Sequence, residues 1–172
     1  SLVYGPEDHF TNNLSRLIRA SVGVFPIQSG GRTVVQPVWV EDLATCILWS
    51  LENENTLNRV YELGGSEFFT LQQIIETIMD VTHRRRVLLP LSPITLRAIT
   101  VFLDGVIPNF PISSFWLDYF AVNRTTAVDA MPRHFGLMPA RFSYRLDYLI
   151  YKRWYQRLWS AISARLSPQR KK

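Results

Sequence analysis

The chain has 172 residues, 47% of them hydrophobic, and a formal net charge of +5 at pH 7. This length and composition suit one hydrophobic core with an appended helical element and exclude a mainly disordered chain. Its single cysteine, Cys46, excludes an internal disulfide, and its three histidines have no partners at metal-ligand spacing. We therefore expect a folded, metal-free protein of a reducing compartment, with a cytoplasmic location.

The start of the chain carries neither an initiator Met nor the basic and apolar regions of a signal peptide. We therefore expect the C-terminal part of a larger protein. The longest apolar stretch, residues 87–112, is interrupted by prolines and by two charged residues, so no bilayer-spanning segment is predicted.

The N-terminal third alternates predicted strands and helices. Residues 2–4 have the pattern of a buried strand end, and turn residues after them lead into a helix predicted over 11–20. The apolar, β-branched run 34–40 predicts a second strand. The helix that follows it begins with Glu41 and Asp42, acids that favour the positive end of a helix dipole.

A third strand is predicted at residues 60–63, ended by Gly64 and Gly65. Thr70 then begins a helix with an apolar period of 3.6 residues. Gln73 stands three residues after Thr70, which is the spacing of a capping box.

The C-terminal half is predicted to be mostly helical. After a short strand at 86–89, Ser92 and Pro93 form an N-cap and first-turn pair for a helix that reaches Ile107. A further helix is predicted from Ser113 or Ser114 to Phe120, followed by a loop. The aromatic and basic end of the chain predicts a helix over 142–166.

Three motifs in a fixed order carry a family resemblance. They are Leu2-Val3-Tyr4-Gly5-Pro6, Gln36-Pro37-Val38-Trp39-Val40-Glu41-Asp42-Leu43-Ala44 and Tyr61-Glu62-Leu63-Gly64-Gly65. Together they resemble the C-terminal half of extended short-chain dehydrogenases/reductases, the fold of the NAD-dependent epimerases and dehydratases. Residues 107–112 and 134–149 further resemble the atypical branch that includes the dehydrogenase-like accessory subunit of respiratory complex I.

The resemblance implies an α/β fold that is the C-terminal portion of a Rossmann-like extended short-chain dehydrogenase fold, with short strands, several helices and an amphipathic C-terminal helix. It implies NAD or NADP as the cofactor of the parent protein, whose glycine-rich turn is not in this sequence. The expected division is a Rossmann-like part at 1–65, a helical lobe at 66–140 and a basic aromatic tail at 141–172.

The first strand supplies the predicted cofactor contacts. The backbone at the carboxyl end of a strand faces the ligand crevice of such folds, so Leu2, Val3 and Tyr4 are predicted to line the nicotinamide side. The alternative is that Gly5 and Pro6 only form a tight turn. Substrate contacts are predicted for the next two polar residues, Asn12 and Asn13, with water-facing residues at a helix start as the alternative.

No catalytic residue is predicted. In this superfamily a Tyr transfers the proton and a Lys four residues later lowers its pKa. Tyr4 has no such Lys, and Tyr148, with Lys152, comes after motifs that it should precede. Val35 occupies the place where the resemblance implies a diphosphate-binding Arg, so a nucleotide-sugar substrate is not favoured.

The tail concentrates positive charge. From Arg141 onward there are nine Lys or Arg residues and one acid. A helical projection places Tyr155, Trp159 and Ile162 on one side and Arg153 and Arg157 on the other, as in interfacial helices. This pattern predicts either peripheral attachment to an anionic membrane face or contact with a partner protein, and no nucleic-acid motif accompanies the charge.

Three functions therefore stay open for the parent protein. The first is a non-catalytic subunit that binds the nucleotide for structure. The second is an active NAD(P)-dependent enzyme, which is an oxidoreductase, an epimerase or a dehydratase. The third is an interaction module that binds a membrane or a partner protein. The 172 residues alone are not expected to catalyse, because the dinucleotide-binding segment is not among them.

Overall fold

The computed structural model describes residues 1–28, 33–107 and 114–150, which form a mixed α/β structure. Its strands are β1 (Val3–Tyr4), β2 (Val24–Gln28), β3 (Val34–Val35), β4 (Val38–Trp39), β5 (Phe69–Thr70) and β6 (Val87–Leu91). Its helices are α1 (His9–Ala20), α2 (Val40–Glu52), α3 (Leu71–Val81), α4 (Pro93–Val106), α5 (Ser114–Tyr119) and α6 (Ala130–Phe135). Short 3₁₀ turns lie at Glu54–Thr56, Phe142–Arg145 and Asp147–Leu149.

The described strands pair two by two. Strands β1 and β4 are parallel, with Val3 opposite Val38 and Tyr4 opposite Trp39. Strands β2 and β6 are also parallel and pair over five residues each, whereas β3 and β5 are antiparallel. Both parallel pairs need long crossover connections, which the intervening helices supply.

The helix starts follow the sequence signals. Thr70 and Gln73 form the predicted capping box at the start of α3, with each side chain accepting a backbone N–H. Ser92 caps α4 and Pro93 occupies its first turn, as predicted. The predicted helix at 11–20 is confirmed as α1, whose N-cap is Asp8.

One core unites the two ends of the chain. It contains Leu2 and Tyr4 of β1, the inner faces of α1 and α3, and three residues of segment 142–149, which holds the last two 3₁₀ turns. Those three, Phe142, Leu146 and Leu149, are each exposed by 2% or less. Residues separated by about 140 positions therefore share one apolar interior, and their burial stabilises the fold by about 1.5–3 kcal/mol for each large side chain.

The predicted strand at 60–63 is wrong. The structure assigns no strand there, and Val60 is 94% exposed. The nearby backbone groups bond instead to side chains: Thr126 Oγ1 donates to the Glu62 carbonyl oxygen, and Gln36 Nε2 donates to the Gly65 carbonyl oxygen. A strand needs a neighbouring backbone ladder, and these contacts replace one.

The single strand predicted over 34–40 is two short strands. Pro37 separates β3 from β4 because it has no N–H for a sheet ladder, and helix α2 already begins at Val40. Val35 pairs with Phe69 whereas Val38 pairs with Val3, so the two halves of the run serve different sheets.

The helix predicted over 142–166 is also wrong in its described part. Residues 142–149 form two 3₁₀ turns whose apolar side chains turn into the core, and 151–166 lie outside the described residues. Strand β2 and helix α6 were not predicted. Each contains a proline, Pro26 and Pro132, that obscures the pattern, and α6 ends at Gly136 with a left-handed φ of 64°.

None of the described helices combines the length and apolar character that crossing a bilayer requires. The division at 1–65, 66–140 and 141–172 stays a prediction.

We predict opposite effects of adding a methyl group at two glycines. A Cβ at Gly65 would overlap the Pro37 carbonyl oxygen, whereas a Cβ at Gly105 in α4 would meet no atom within 4 Å. Gly65→Ala should therefore destabilise the chain by about 1–3 kcal/mol, and Gly105→Ala should stabilise it by up to about 1 kcal/mol. Urea unfolding of both variants measures this, and equal midpoints would contradict the packing at Gly65.

Candidate functional site

The carboxyl ends of β1 and β4 lie side by side and define the candidate site. In open α/β folds, ligands bind in the crevice outside these strand ends. Tyr4 ends β1 and Trp39 ends β4, and their side chains are 0% and 6% exposed. We call the group formed by these two residues with Asp8, Thr11 and Tyr148 the strand-end cluster.

Aromatic rings fill the apolar side of the strand-end cluster. The Tyr4 ring centroid lies 5.3 Å from that of Trp39 and 4.8 Å from that of Phe142, the latter edge to face. Tyr148 adds a fourth ring, 6.1 Å from Trp39. Such ring pairs contribute about 0.5–1.5 kcal/mol each beyond the area that they bury. The C-terminal 3₁₀ turns are thus packed directly onto the strand ends.

Asp8 organises the polar side of the cluster. Its carboxylate accepts the Gly5 N–H at 3.2 Å and the Thr11 N–H at 2.5 Å, and it also accepts the Thr11 hydroxyl. The Tyr148 hydroxyl lies 2.8 Å from Thr11 Oγ1 and donates to Asp8 Oδ2 at 3.2 Å. One carboxylate therefore caps α1, closes the turn after β1 and holds the C-terminal segment.

The two tyrosines of the cluster are held in their protonated form. Burial raises the pKa of Tyr148, and the Asp8 carboxylate raises it further although the Thr11 hydrogen bond acts against this. Burial also raises the pKa of Tyr4, with a smaller contribution from Asp42. A proton-transfer tyrosine needs a lowered pKa, and the pKa shifts of Tyr4 and Tyr148 run in the opposite direction. Lys152, the formal partner of Tyr148, lies outside the described residues.

The predicted cofactor residues differ in exposure. Val3 is 39% exposed, whereas Leu2 and Tyr4 are buried in the core. A ligand at this edge would therefore meet the Val3 side chain but only the backbone of its two neighbours. The Leu2 carbonyl oxygen already accepts the Val38 N–H at 2.8 Å.

The predicted substrate residues lie on the first turn of α1, and both are half-buried. The Asn12 amide donates to the carbonyl oxygens of Asp8 at 2.9 Å and of Pro6 at 3.2 Å, so it braces the turn after β1. Asn13 is its neighbour on the helix. The Asn12 amide thus bonds to residues 5, 6 and 8 of the turn that follows β1.

Two further carboxylates anchor the segment that covers the site. Asp42, in the first turn of α2, accepts the Ala140 N–H at 2.7 Å, and Glu67 accepts the Phe142 N–H at 3.1 Å. The sequence indicated Asp42 as a helix-start acid but gave no signal for its second role, because the donor is 98 residues away in the chain. Asp8 and Glu67 were missed for the same reason.

The remaining predictions concern Val35, metal ligands and the tail. Val35 is completely buried, so its side chain lies in the core and does not face a ligand. Within residues 1–28, 33–107 and 114–150, no three His, Cys, Asp or Glu side chains come together as metal ligands would. The membrane or partner residues Arg153, Tyr155, Arg157, Trp159 and Ile162 lie outside the described residues.

Two curated proteins illustrate what the chain is similar to in sequence. The chain is 34% identical over 115 residues to NADH dehydrogenase [ubiquinone] 1 alpha subcomplex subunit 9, mitochondrial, of Arabidopsis thaliana, covering 64% of this chain and 28% of that protein. The Dictyostelium discoideum protein of the same name is 30% identical over 133 residues, covering 76% and 37%. The predicted resemblance to this atypical branch is confirmed. The chain spans about a third of these relatives, and no family model matches it.

Solved structures show the fold. The Citrobacter sp. triphenylmethane reductase complexed with NADP(H) matches with a TM-score of 0.60 at 19% identity, over 83% of this chain and 48% of that one. The UDP-glucose 4-epimerase of Thermotoga maritima, with UDP-glucose, gives 0.55 at 16% identity, over 86% and 42%. The predicted α/β, Rossmann-like class is confirmed, and the chain corresponds to part of that fold.

We predict that Tyr148→Phe destabilises the chain by about 1–3 kcal/mol, because it removes one hydrogen-bond partner from the buried Thr11 hydroxyl and from the half-buried Asp8 carboxylate. Tyr144→Phe is the matched control, since Tyr144 lies in the same turns but is 71% exposed. It should change the free energy of unfolding by less than about 0.5 kcal/mol. Equal effects of the two variants in urea unfolding would refute the contact of Tyr148 with α1.

Proposed function

We propose that this chain is the C-terminal part of an NAD(P)-binding, short-chain dehydrogenase-like accessory subunit that holds its nucleotide for structure and does not turn it over. The observation that carries the proposal is the closed strand-end cluster. Rings from the C-terminal 3₁₀ turns cover the edge where a substrate of this fold would approach. The names of the relatives, as subunits of NADH dehydrogenase, support the same assignment.

The closed edge argues against turnover by this half of the site. A catalytic group must come within about 3 Å of the reacting atom. The hydroxyl groups of Tyr4 and Tyr148 instead face Arg141, Thr11 and Asp8 of the same chain. To reach them, a substrate would have to displace a segment held by the carboxylates of Asp42 and Glu67.

The nucleotide itself would be held mainly by the rest of the parent protein. A dinucleotide pyrophosphate binds at a glycine-rich turn and a helix N-terminus that this sequence does not contain. The contribution of the present chain would be the Val3 side chain and the backbone of Leu2 and Tyr4 at the nicotinamide side. Asn12 and Asn13 are proposed as secondary polar contacts.

The proposal is tested on the intact parent protein. We expect NADPH or NADH to raise its melting temperature and to be recovered unchanged after prolonged incubation, as measured by thermal shift and by chromatography of the released nucleotide. The 172-residue chain alone should bind either nucleotide no better than roughly millimolar. Steady nucleotide oxidation by the parent, at a rate that Tyr148→Phe lowers about 10²-fold or more, would contradict it.

An active reductase or epimerase is the second candidate. It is supported by the fold that the chain shares with the reductase and the epimerase described above. A shared fold does not imply a shared reaction. A nucleotide-sugar substrate is disfavoured because the position expected for a diphosphate-binding Arg holds the buried Val35. The incubation of the parent protein with nucleotide separates this candidate from the first.

Location and attachment are also proposals. The names of the relatives place them in mitochondria, and we propose the same compartment for the parent instead of the cytoplasm expected from composition. We further propose peripheral attachment of the tail to an anionic membrane face. Each Lys or Arg near such a surface contributes about 1 kcal/mol.

Charge reversal in the tail tests the attachment. Arg153→Glu with Arg157→Glu should reduce sedimentation of the full chain with anionic vesicles several-fold at low salt, because both arginines are predicted to meet lipid headgroups. The control is Arg84→Glu with Arg85→Glu, an exposed basic pair elsewhere in the chain. Equal loss in both variants, or no binding of the unmodified chain, would leave a partner protein as the ligand of the tail.

A further inference from the structure

A cavity of about 340 Å³ lies beside α1, lined by residues that are not part of the strand-end cluster. It is a half-open cavity lined by residues of α1, β2, α3, α4 and α5. Its walls include Leu17, Phe25, Leu96, Leu103, Trp116 and Phe120. Ligand-binding pockets have volumes of about 300–1,000 Å³, so this cavity is large enough to hold a small molecule.

The walls of the cavity are mostly apolar. No charged side chain lines it within the described parts of the chain. The hydroxyl of Thr100 donates to the Leu96 carbonyl oxygen at 2.9 Å, and that of Ser21 donates to the Ile18 carbonyl oxygen at 2.9 Å. Both hydroxyls therefore donate to nearby backbone carbonyl groups, and Gln28 at the end of β2 adds a polar side chain to the walls. The rest of the walls offers mainly methyl groups and rings to a ligand. A phosphate, sugar or nucleotide would lose its hydration there without compensation.

The rim of the cavity continues into an exposed apolar surface. Ile99, which lines the cavity, is 40% exposed, and Leu103 beside it is half-buried. On the outer side of the same helix, Val101 and Phe102 are 56% and 67% exposed. Exposed apolar patches of this kind mark interaction sites. Apolar side chains therefore form a continuous path for an apolar molecule from the surface of α4 into the cavity.

We propose that this cavity binds a single hydrocarbon chain, fatty acyl or isoprenoid, which enters past Leu103 with its polar head at the surface of α4. The uncharged walls, the internally bonded hydroxyls and the apolar rim agree on this class of ligand. The site is distinct from the nucleotide proposal, because no residue of the strand-end cluster lines the cavity.

The test uses the full 172-residue chain and displacement of a dansyl-labelled undecanoate by a series of straight-chain alcohols from hexanol to dodecanol. Each added methylene should strengthen binding about fourfold, the equivalent of about 0.8 kcal/mol, until the cavity is filled. Hexadecanoate and farnesol serve as further competitors and separate a fatty acyl from an isoprenoid ligand. Binding of either one supports the site.

Leu103→Trp should block the entrance and weaken alcohol binding at least about tenfold. Val101→Trp is the matched control, since it adds the same ring to the outer face of α4, and it should change affinity less than about twofold. Circular dichroism verifies that both variants fold. The proposal fails if displacement is not saturable. It also fails if affinity does not depend on alcohol length, or if the two variants lose affinity equally.

Discussion

The structure depends on one shared carboxylate, that of Asp8. It caps α1, accepts the Gly5 N–H of the turn after β1 and receives the hydroxyl of Tyr148 from the far end of the chain. A partly buried carboxylate is stable only when hydrogen bonds replace its hydration, and here the three segments supply them together. Removing any one of these donors therefore destabilises the packing of the other two segments around Asp8.

This arrangement explains why the strand ends are closed. Once Tyr148 is fixed to α1, the rest of the C-terminal 3₁₀ turns pack Phe142 against Tyr4, and Asp42 and Glu67 hold the backbone of Ala140 and Phe142. The edge that receives substrates in related folds becomes part of the core. This packing supports the proposed structural role of the nucleotide in an accessory subunit.

The sequence predicted those features that local patterns determine. The capping box at Thr70, the Ser92 cap and the order of motifs that indicated the fold family all depend on neighbouring residues. Features that depend on distant partners were not predictable. Residues 60–63 have the pattern of a strand, but their backbone bonds to a side chain and not to a neighbouring strand. Residues 142–149 have the apolar spacing of a helix, but they form 3₁₀ turns when their apolar side chains pack into the core. Asp8 looked like an ordinary turn residue because Tyr148 is 140 positions away.

The central claim, that Asp8 and Tyr148 lock the C-terminal segment to the strand ends, is tested most directly by a double-mutant cycle. Asp8→Asn keeps a good helix cap but removes the charge, and Tyr148→Phe removes the donor. Urea unfolding of both single variants and the double variant should give a coupling energy of at least about 1 kcal/mol. Additivity within about 0.3 kcal/mol would contradict the account.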